Sequence, residues 1–471
     1  MGKNYETIRQ KVDKFQQNHV FHFWDELTPQ ERNEFLAQLE TIDFDLMKHL
    51  KAKYIDKKEQ KIDMGDLEPI PAIPLPKTDE QIAAMEKARS AGEDRIRNGK
   101  VAALLVAGGQ GTRLGYSGPK GKYPIGPLSK KSLFQLHAEK ILALQRKFDV
   151  SIPWYIMTSE TNHQETVTFF NDNNFFGLNE SDVIFFIQGM LPAMDKNGKF
   201  FLDKKNHIFT NPNGHGGTLY ALRENNCLDD MAKRGIEDIF YFQVDNVLTK
   251  ICDPVFIGYH HLQNSDMSSK VVEKKAPEEK VGIIGKRNGK VTVIEYSDMP
   301  IEEQKKRDED GKLKYRNGSI ALHVIRKNFI EKLTADNLSL PFHVAHKKIK
   351  YIDEHGREVN PSEPNGYKFE MFIFDALPFA KNPVVMEVDR KEEFSPVKNK
   401  DGWENTPQTA QQDMMNFFAR MLQRAGYKVE FDKKNNVKGK IEISPLFASS
   451  PEELRQKLGD DFHFNGELYL H

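Results

Sequence analysis

The chain has 471 residues, enough for about three domains or for one large α/β domain with appendages. Its 68 basic and 69 acidic residues leave a formal net charge of −1, so no overall positive field favours nucleic acid or an anionic membrane. Two cysteines make no disulfide framework, and neither a signal-peptide pattern nor an apolar run near twenty residues occurs. These features predict a cytoplasmic protein with no nucleic-acid or membrane partner, and none of them indicates an oligomeric state.

The first 97 residues are predicted to form a helical N-terminal region that ends in a proline-rich strap. Apolar side chains recur at helical spacing up to about residue 66. Thr28 followed by Pro29 is typical of a helix start, with a capping residue before a proline in the first turn. Residues 68–76 carry closely spaced prolines, which predict an extended segment outside any central strand. A proline-rich docking motif is the alternative interpretation of this strap.

Strands and helices alternate through a predicted catalytic domain, residues 98–390. Strands are predicted at residues 101–107, 152–157, 182–187 and 236–244, with an amphipathic helix at residues 132–148. This alternation predicts an α/β fold with a doubly wound, mostly parallel, Rossmann-like sheet. Residues of about 270–325 are predicted to be a β-rich excursion with a hairpin turn at 287–290, and residues 391–471 a small C-terminal domain.

The first predicted strand runs into a glycine-rich loop, Gly-Gly-Gln-Gly-Thr-Arg-Leu at residues 108–114, which Pro119 and Lys120 follow. Glycines can adopt positive φ and let backbone N–H groups approach a ligand, and Arg113 and Lys120 add positive charge, so the loop suits a polyphosphate. A tight turn with surface cations is the alternative. No Lys-Ser/Thr pair completes a P-loop, and Leu114 stands where a dinucleotide fingerprint needs its third glycine. The spacing therefore disfavours an NAD-dependent oxidoreductase.

The glycine-rich loop resembles that of nucleotidyltransferases that activate sugars. Five further segments match one branch of these enzymes, in order: residues 188–193, 244–248, 271–274, 294–297 and 393–399. Over roughly residues 95–405, the chain resembles the UDP-N-acetylglucosamine pyrophosphorylase branch of the UDP-sugar pyrophosphorylases. The resemblance implies the nucleotidyltransferase fold, UTP and a sugar 1-phosphate as substrates, and Mg²⁺ as cofactor.

Such a reaction needs cations and aimed N–H groups more than a general base, because the attacking phosphate is already ionised. The resemblance assigns Arg113 to the β- and γ-phosphates, Lys120 to the α-phosphate and Lys398 to the sugar phosphate. It assigns the metal to Asp245, and a carboxylate at a strand end suits Mg²⁺. Surface lysines and a turn-capping aspartate are the alternatives. A non-catalytic nucleotide-sugar binder is disfavoured because all four residues are present.

The resemblance also implies the residues that bind the nucleotide. Gln188 would read the edge of the uracil, since a side-chain amide offers both a donor and an acceptor. The other predicted nucleotide-binding residues are Ala107, Gly108, Gly109, Gly214 and Lys368.

The predicted sugar pocket departs from the pattern of the branch at two positions. Glu295 and Tyr296 stand as the branch has them. His215 replaces an asparagine in the segment Asn-Gly-His-Gly-Gly, and Ser319 stands where the branch usually has another asparagine. The long motifs favour N-acetylglucosamine 1-phosphate as the sugar substrate. His215 keeps glucose 1-phosphate, or a broad range of sugars, as the alternative, and a loop histidine without a ligand is the simplest interpretation of that residue.

Overall fold

A computed structural model describes residues 2–57, 66–335 and 340–471 of the chain, with the side chains of residues 2–4 left out. These residues form two compact units. Unit 1 comprises Met1–Asp63, Gln188–Thr218 and Leu340–Asp375, and unit 2 comprises Met64–Ile187, Leu219–Ser339 and Ala376–His471. The predicted domains are contiguous stretches, whereas each unit collects separate stretches of chain. The boundaries predicted after residues 97 and 390 stay predictions.

The described residues contain both long amphipathic helices and short buried strands. The α-helices are α1 (Gly2–Lys14), α2 (Pro29–Thr41), α3 (Phe44–Leu50), α4 (Asp79–Arg97), α5 (Leu133–Phe148), α6 (His163–Asp172), α7 (Thr218–Glu224), α8 (Cys227–Lys233), α9 (Pro254–Leu262), α10 (Ile301–Gln304), α11 (Lys327–Ala335), α12 (Arg390–Glu393), α13 (Pro407–Arg424) and α14 (Pro451–Leu458). The strands are β1 (Leu67–Pro69), β2 (Val101–Val106), β3 (Trp154–Thr158), β4 (Val183–Ile187), β5 (Met190–Pro192), β6 (Leu202–Lys204), β7 (His207–Ile208), β8 (Thr210–Pro212), β9 (Asp238–Gln243), β10 (Met267–Glu273), β11 (Ile283–Arg287), β12 (Lys290–Ile294), β13 (Asn317–Arg326), β14 (Phe342–Lys347), β15 (Tyr351–Ile352), β16 (Glu358–Val359), β17 (Gly366–Met371), β18 (Val384–Glu387), β19 (Lys440–Ile443) and β20 (Glu467–Leu470).

The helical N-terminus in unit 1 confirms the capping signal. Thr28 accepts the Glu31 N–H at 3.3 Å, and the Glu31 carboxylate accepts the Thr28 N–H at 2.8 Å, with Pro29 in the first turn of α2. This reciprocal pair satisfies backbone donors that a helix start leaves open. Residues 58–65 of the predicted helical stretch lie outside the described residues. No helix in the described part of the chain is both long and apolar enough to span a lipid bilayer.

The main sheet of unit 2 has the strand order β1-β11-β13-β9-β2-β3-β4, with β10 beside β13 and β18 and with β12 beside β11. Strands β9, β2, β3 and β4 run parallel, and β13 is antiparallel to β9. Strand β2 is buried at every position from Val101 to Leu105, as a strand covered on both faces should be. The predicted α/β fold with a mostly parallel centre is confirmed.

The β-rich stretch near residues 270–325 joins this main sheet rather than standing apart from it. Strand β10 pairs with β13, which in turn pairs with β9. The predicted hairpin between β11 and β12 is confirmed, since Asn288 and Gly289 both have positive φ, 52° and 73°. The proline-rich strap is extended: β1 pairs with β11 at the sheet edge, where Pro69 leaves no central hydrogen bond unmade.

Two of the buried apolar clusters of unit 2 show how its helices pack. Ser132 caps α5, whose Leu133, Phe134 and Ile141 are buried in the same cluster as Leu105 of β2. The C-terminal stretch, with α13, α14 and the parallel pair of β19 and β20, has a cluster of its own. The carboxyl ends of β2 and β9 are adjacent in the sheet, and they carry the glycine-rich loop and Asp245 respectively.

Candidate active site

The glycine-rich loop is held by side chains that follow β3. Ser159 donates a hydrogen bond to the Gly108 carbonyl at 2.9 Å, and Asn162 donates through Nδ2 to the Ala107 carbonyl at 2.9 Å. A Cβ added to Gly109 would meet no atom within 4 Å. The backbone at Gly109 is therefore open to close approach by a ligand. The pattern around residues 108–114 did not predict Ser159 or Asn162, because their role depends on the neighbouring strand.

Positive φ falls later in the loop than the glycine pattern predicted. Gly108, Gly109 and Gly111 stay at ordinary φ values, whereas Gly115 has φ 69° and Gly118 has φ 111°. Gly111 is required for space instead, since a Cβ there would lie 2.9 Å from the Tyr116 ring. Gly109 therefore leaves the backbone open to a ligand, whereas Gly115 and Gly118 allow the chain to turn.

Lys120 and Asp245 form an ion pair at the carboxyl ends of β2 and β9. Lys120 Nζ lies 2.9 Å from Asp245 Oδ2, and only 16 % and 13 % of the two side chains is exposed. The Lys120 N–H also donates to the Gly109 carbonyl at 3.1 Å. Burial alone would raise the pKa of the Asp245 carboxyl, but the ammonium groups of Lys120 and Lys398 outweigh burial and hold that pKa below its usual range. Asp245 is thus a carboxylate at neutral pH.

Main-chain hydrogen bonds tie the other two cations to the same place. The Asp245 carbonyl accepts the Val397 N–H at 2.9 Å, and the exposed Lys398 follows directly. The Lys400 N–H donates to the carbonyl of Arg113 at 2.9 Å. The structure therefore brings together Arg113, Lys120, Asp245 and Lys398 of unit 2, which come from three separate stretches of the sequence.

The donor set around Asp245 suits a metal that brings ligands of its own. Within residues 2–57, 66–335 and 340–471, no group of three or more His, Cys, Asp or Glu side chains could hold an ion. Zinc, which needs three or four protein ligands, does not fit. Mg²⁺ takes one or two carboxylates and completes its shell with phosphate oxygens and water, so the Asp245 carboxylate fits it.

Two of the predicted sugar-binding residues of unit 2 flank Gly282. A Cβ on Gly282 would lie 3.2 Å from Glu295 Oε1, so the Glu295 carboxylate packs against this glycine. The Ser319 N–H donates to the Gly282 carbonyl at 2.8 Å. Tyr296 follows Glu295 with 38 % of its surface exposed. The structure thus places Glu295 and Ser319 beside Gly282, with Tyr296 next to Glu295 in the chain.

In unit 1, Gln188 and Gly214 are joined directly. Gln188 is buried, and its Nε2 donates to the Gly214 carbonyl at 2.8 Å. Gly214 has φ 86°, and a Cβ there would come within 2.3 Å of the Met371 carbonyl oxygen, so only glycine fits. Lys368 lies on β17 with Nζ 4.9 Å from the centre of the Phe209 ring, and burial lowers the pKa of its ammonium.

His215 is packed into a stack of rings in unit 1. Its ring lies 5.2 Å from Phe372 at an interplanar angle of 14°, and His343 stacks on the same Phe372 at 4.1 Å. His215 Nδ1 accepts the Ile373 N–H at 3.2 Å, so the neutral ring carries its proton on Nε2. Burial, and then the nearby His343, lower the pKa of His215 to about 4. At neutral pH the ring is therefore uncharged.

The chain is similar to known proteins over nearly its whole length. Residues 44–435 match the model of a family described as UTP–glucose-1-phosphate uridylyltransferase. A probable UDP-N-acetylglucosamine pyrophosphorylase of Dictyostelium discoideum is 38 % identical over 97 % of this chain and 96 % of its own length. A UDP-N-acetylglucosamine pyrophosphorylase of Saccharomyces cerevisiae is 39 % identical over 96 % of each chain. The solved structure of the uridine diphosphate N-acetylglucosamine pyrophosphorylase of Trypanosoma brucei, in complex with an inhibitor, superposes with a TM-score of 0.84 at 28 % identity, covering 97 % of this chain and 95 % of that one.

Proposed function

The chain belongs to the UTP–glucose-1-phosphate uridylyltransferase family, and on that premise we propose that it makes UDP-N-acetylglucosamine and pyrophosphate from UTP and N-acetylglucosamine 1-phosphate. The observation that carries this proposal is the convergence of three cations and one carboxylate at the ends of β2 and β9, with Lys120 Nζ 2.9 Å from Asp245. The names of the relatives in Dictyostelium and Saccharomyces supply the sugar.

In the proposed reaction, an oxygen of the sugar phosphate attacks the α-phosphorus of UTP. The bond between that phosphorus and the bridging oxygen to the β-phosphate breaks, and pyrophosphate leaves with the bonding electrons. Phosphate oxygens repel one another, so the site must neutralise charge on both the attacking and the leaving groups. Lys120 is assigned to the α-phosphate, Arg113 to the β- and γ-phosphates, and Lys398 to the phosphate of the sugar.

Asp245 is the residue that would hold Mg²⁺, and the ion when bound would neutralise oxygens of the triphosphate. The low pKa of Asp245 keeps the carboxylate ionised at any pH where the enzyme would work. Lys120 is paired with the same carboxylate, so it is held at the place where the phosphates must be neutralised.

The remaining site residues are assigned by what each can donate or accept. With Gln188 Nε2 bonded to Gly214, Oε1 of this amide is the acceptor for the imide N–H of uracil. The other residues assigned to the nucleotide are Ala107, Gly108, Gly109, Gly214 and Lys368. The residues assigned to the sugar are His215, Glu295, Tyr296 and Ser319.

The test is release of pyrophosphate from UTP and Mg²⁺ with a panel of sugar 1-phosphates. We expect release with N-acetylglucosamine 1-phosphate and, without the sugar, none. If no sugar phosphate in the panel leads to release of pyrophosphate, the proposal is ruled out.

Glucose 1-phosphate, alone or within a broad range of sugars, is the second candidate substrate. His215 and Ser319 favour it, because each stands where the N-acetylglucosamine branch has asparagine. The ratio of kcat/KM for the two sugar phosphates decides between the candidates.

A cytoplasmic location is part of the proposal as well. Cys227 and Cys252 are both free and buried, and unpaired thiols suit a reducing compartment. Burial also raises the pKa of the Cys227 thiol to about 12, which keeps it unreactive. Cell fractionation that finds the protein in an oxidising compartment would contradict this location.

A further inference from the structure

The side chain of Asn246 joins two segments that carry the proposed catalytic groups. Asn246 follows Asp245 and is only 3 % exposed. Its Nδ2 donates to the Glu393 carbonyl at 2.7 Å, and its Oδ1 accepts the Ser395 N–H at 2.9 Å. Both ends of one amide are therefore bonded to the backbone that leads into Lys398.

This amide acts alongside a main-chain bond between the same two segments. The Val397 N–H donates to the Asp245 carbonyl at 2.9 Å, and Asn246 forms a backbone bridge with Pro396. Three hydrogen bonds thus connect residues 245–246 with residues 393–397. Removing the Asn246 side chain would break two of them and leave a buried N–H and a buried C=O without that partner.

A buried ion cluster anchors the far end of the connection. Lys270 Nζ lies 2.5 Å from the Glu393 carboxylate and 2.8 Å from Asp253, and its side chain is fully buried. Removing one member of such a cluster is costly, so Glu393 is firmly placed. The carbonyl that Asn246 binds belongs to this fixed residue, so the Asn246 amide is anchored at its Nδ2 end and holds the Ser395 N–H, three residues before Lys398, with its Oδ1.

We propose that Asn246 is a positioning residue that fixes the separation between the Asp245 carboxylate and the Lys398 ammonium. The inference rests on the proposed function, because the separation matters only if both groups act on one reaction. Asn246 itself touches no substrate in this account. It acts on the reaction through the backbone that carries Lys398.

A double-mutant cycle tests the proposal. The four proteins are wild type, Asn246→Ala, Lys398→Ala and the double variant, compared by kcat/KM for the sugar phosphate. We expect Asn246→Ala to cost about 10- to 100-fold alone, as loss of a supporting contact does. In the Lys398→Ala background it should cost less than about threefold, since the separation no longer matters. Equal costs in both backgrounds would overturn the proposal.

A KM measurement separates positioning from general damage. Asn246→Ala should raise the KM for the sugar phosphate more than the KM for UTP, because Lys398 is the group displaced. The matched control is Asn416→Ala, since Asn416 is also buried and its Oδ1 accepts a backbone N–H, that of Val437, at 2.9 Å. The control should change kcat/KM by no more than about twofold. An equal rise in both KM values would count against Asn246.

Hydrogen exchange gives a readout that does not need activity. In Asn246→Ala, the amides of Ser395 and Val397 should exchange faster than in wild type, while peptides around Asn416 keep their protection. Unchanged exchange at Ser395 would overturn the connection even if the enzyme is active. If wild-type protein releases no pyrophosphate, the proposed function is wrong, whereas the exchange result for the connection at Asn246 still stands. If Asn246→Ala does not fold, Asn246→Leu, which keeps the volume and removes both side-chain hydrogen bonds, takes its place.

Discussion

The glycine-rich loop of unit 2 and the His215 loop of unit 1 both depend on glycine, but for different physical reasons. Around Gly109 there is open space, and a ligand can come close to the backbone. Around Gly214 there is no space at all, because the Met371 carbonyl would lie 2.3 Å from a Cβ. The first loop leaves room for a ligand beside its backbone, and the second is shaped by packing within its own unit.

The two regions also differ in charge. In unit 2, Lys120 and Asp245 form an ion pair, with Arg113 and Lys398 held close by main-chain bonds. In unit 1, His215 is neutral, since burial and its neighbour lower its pKa to about 4. A charged group attracts any phosphate, whereas a neutral hydrogen-bonding group recognises an atom at one position of a particular ligand. Changes to these four charged groups of unit 2 should therefore slow the reaction of every sugar phosphate alike, and changes at His215 should alter the choice between sugars.

The largest expected effect is that of Lys120→Ala. Loss of a preorganised cation at the α-phosphate should lower kcat by about 100- to 1,000-fold. The loss should be equal for both sugar phosphates, because the ammonium serves the nucleotide. Lys122→Ala is the matched control, since Lys122 lies two residues away and pairs with Glu165 at 2.6 Å. If Lys122→Ala lowers kcat as much as Lys120→Ala does, the effect is not specific to the cation at Asp245, and the contrast between the two regions fails.

The next effect is that of Asp245→Asn, which keeps the shape of the side chain and removes its charge. Supporting contacts of a metal typically account for about 10- to 100-fold, so loss of the ligand itself should cost at least the upper figure. The Mg²⁺ concentration for half-maximal activity should rise as well. As the control, wild type should lose activity in a chelator and regain it with Mg²⁺. An unchanged Mg²⁺ dependence in the variant would remove Asp245 from the metal site.

Much of the fold could be predicted because its signals are local. The apolar run ending at Gly108, the cap at Thr28 and the turn at Asn288 each depend on a few neighbouring residues, and each is confirmed. The antiparallel additions to the sheet could not be predicted in the same way. Strands β10 and β13 could equally have formed a separate layer, and only pairing with β9 places them in the main sheet.

The residues that hold the candidate site in place could not be predicted from the sequence either, because their contacts also depend on strand pairing. Ser159 bonds Gly108 across 51 residues, and Asn246 bonds Ser395 across 149. No spacing rule connects such positions, since the connection arises from strand order. Phe372 and His343, which stack behind His215, come from a stretch that the sequence patterns left unassigned. Motifs predicted the groups proposed to meet ligand, and the fold supplied what holds them.

The buried His137 of α5 should make the stability of unit 2 depend on pH in the acid range. His137 is fully buried, its Nε2 donates to the Val244 carbonyl at 3.0 Å, and its Nδ1 has no partner among the described residues. Burial lowers its pKa from 6.5 to about 3. The unfolded chain therefore takes up a proton first, so stability is lost as the pH falls from about 6.5 towards 3 and is unaffected at pH 7.

In His137→Gln, the free energy of unfolding should fall less steeply with decreasing pH, by about 1.4 kcal/mol per pH unit below 6. Urea unfolding at several pH values measures this slope. Because the change lies in the slope, lower overall stability of the variant does not obscure it. Parallel curves for wild type and variant would show that His137 is not held neutral in the folded protein.

The smallest effect, and the one that bears most directly on the role of unit 1, is expected of His215→Asn. Asparagine offers both a donor and an acceptor, as neutral histidine does, but on a shorter side chain without a ring, and it is the residue usual in the N-acetylglucosamine branch. The ratio of kcat/KM for N-acetylglucosamine 1-phosphate over glucose 1-phosphate should rise by about tenfold, with the KM for UTP nearly unchanged. His346→Asn is the matched control, because His346 also stacks on a ring in unit 1, that of Tyr367 at 4.5 Å. A ratio that moves equally in both variants, or in neither, would remove His215 from the sugar pocket and leave the choice of sugar to Glu295 and Ser319.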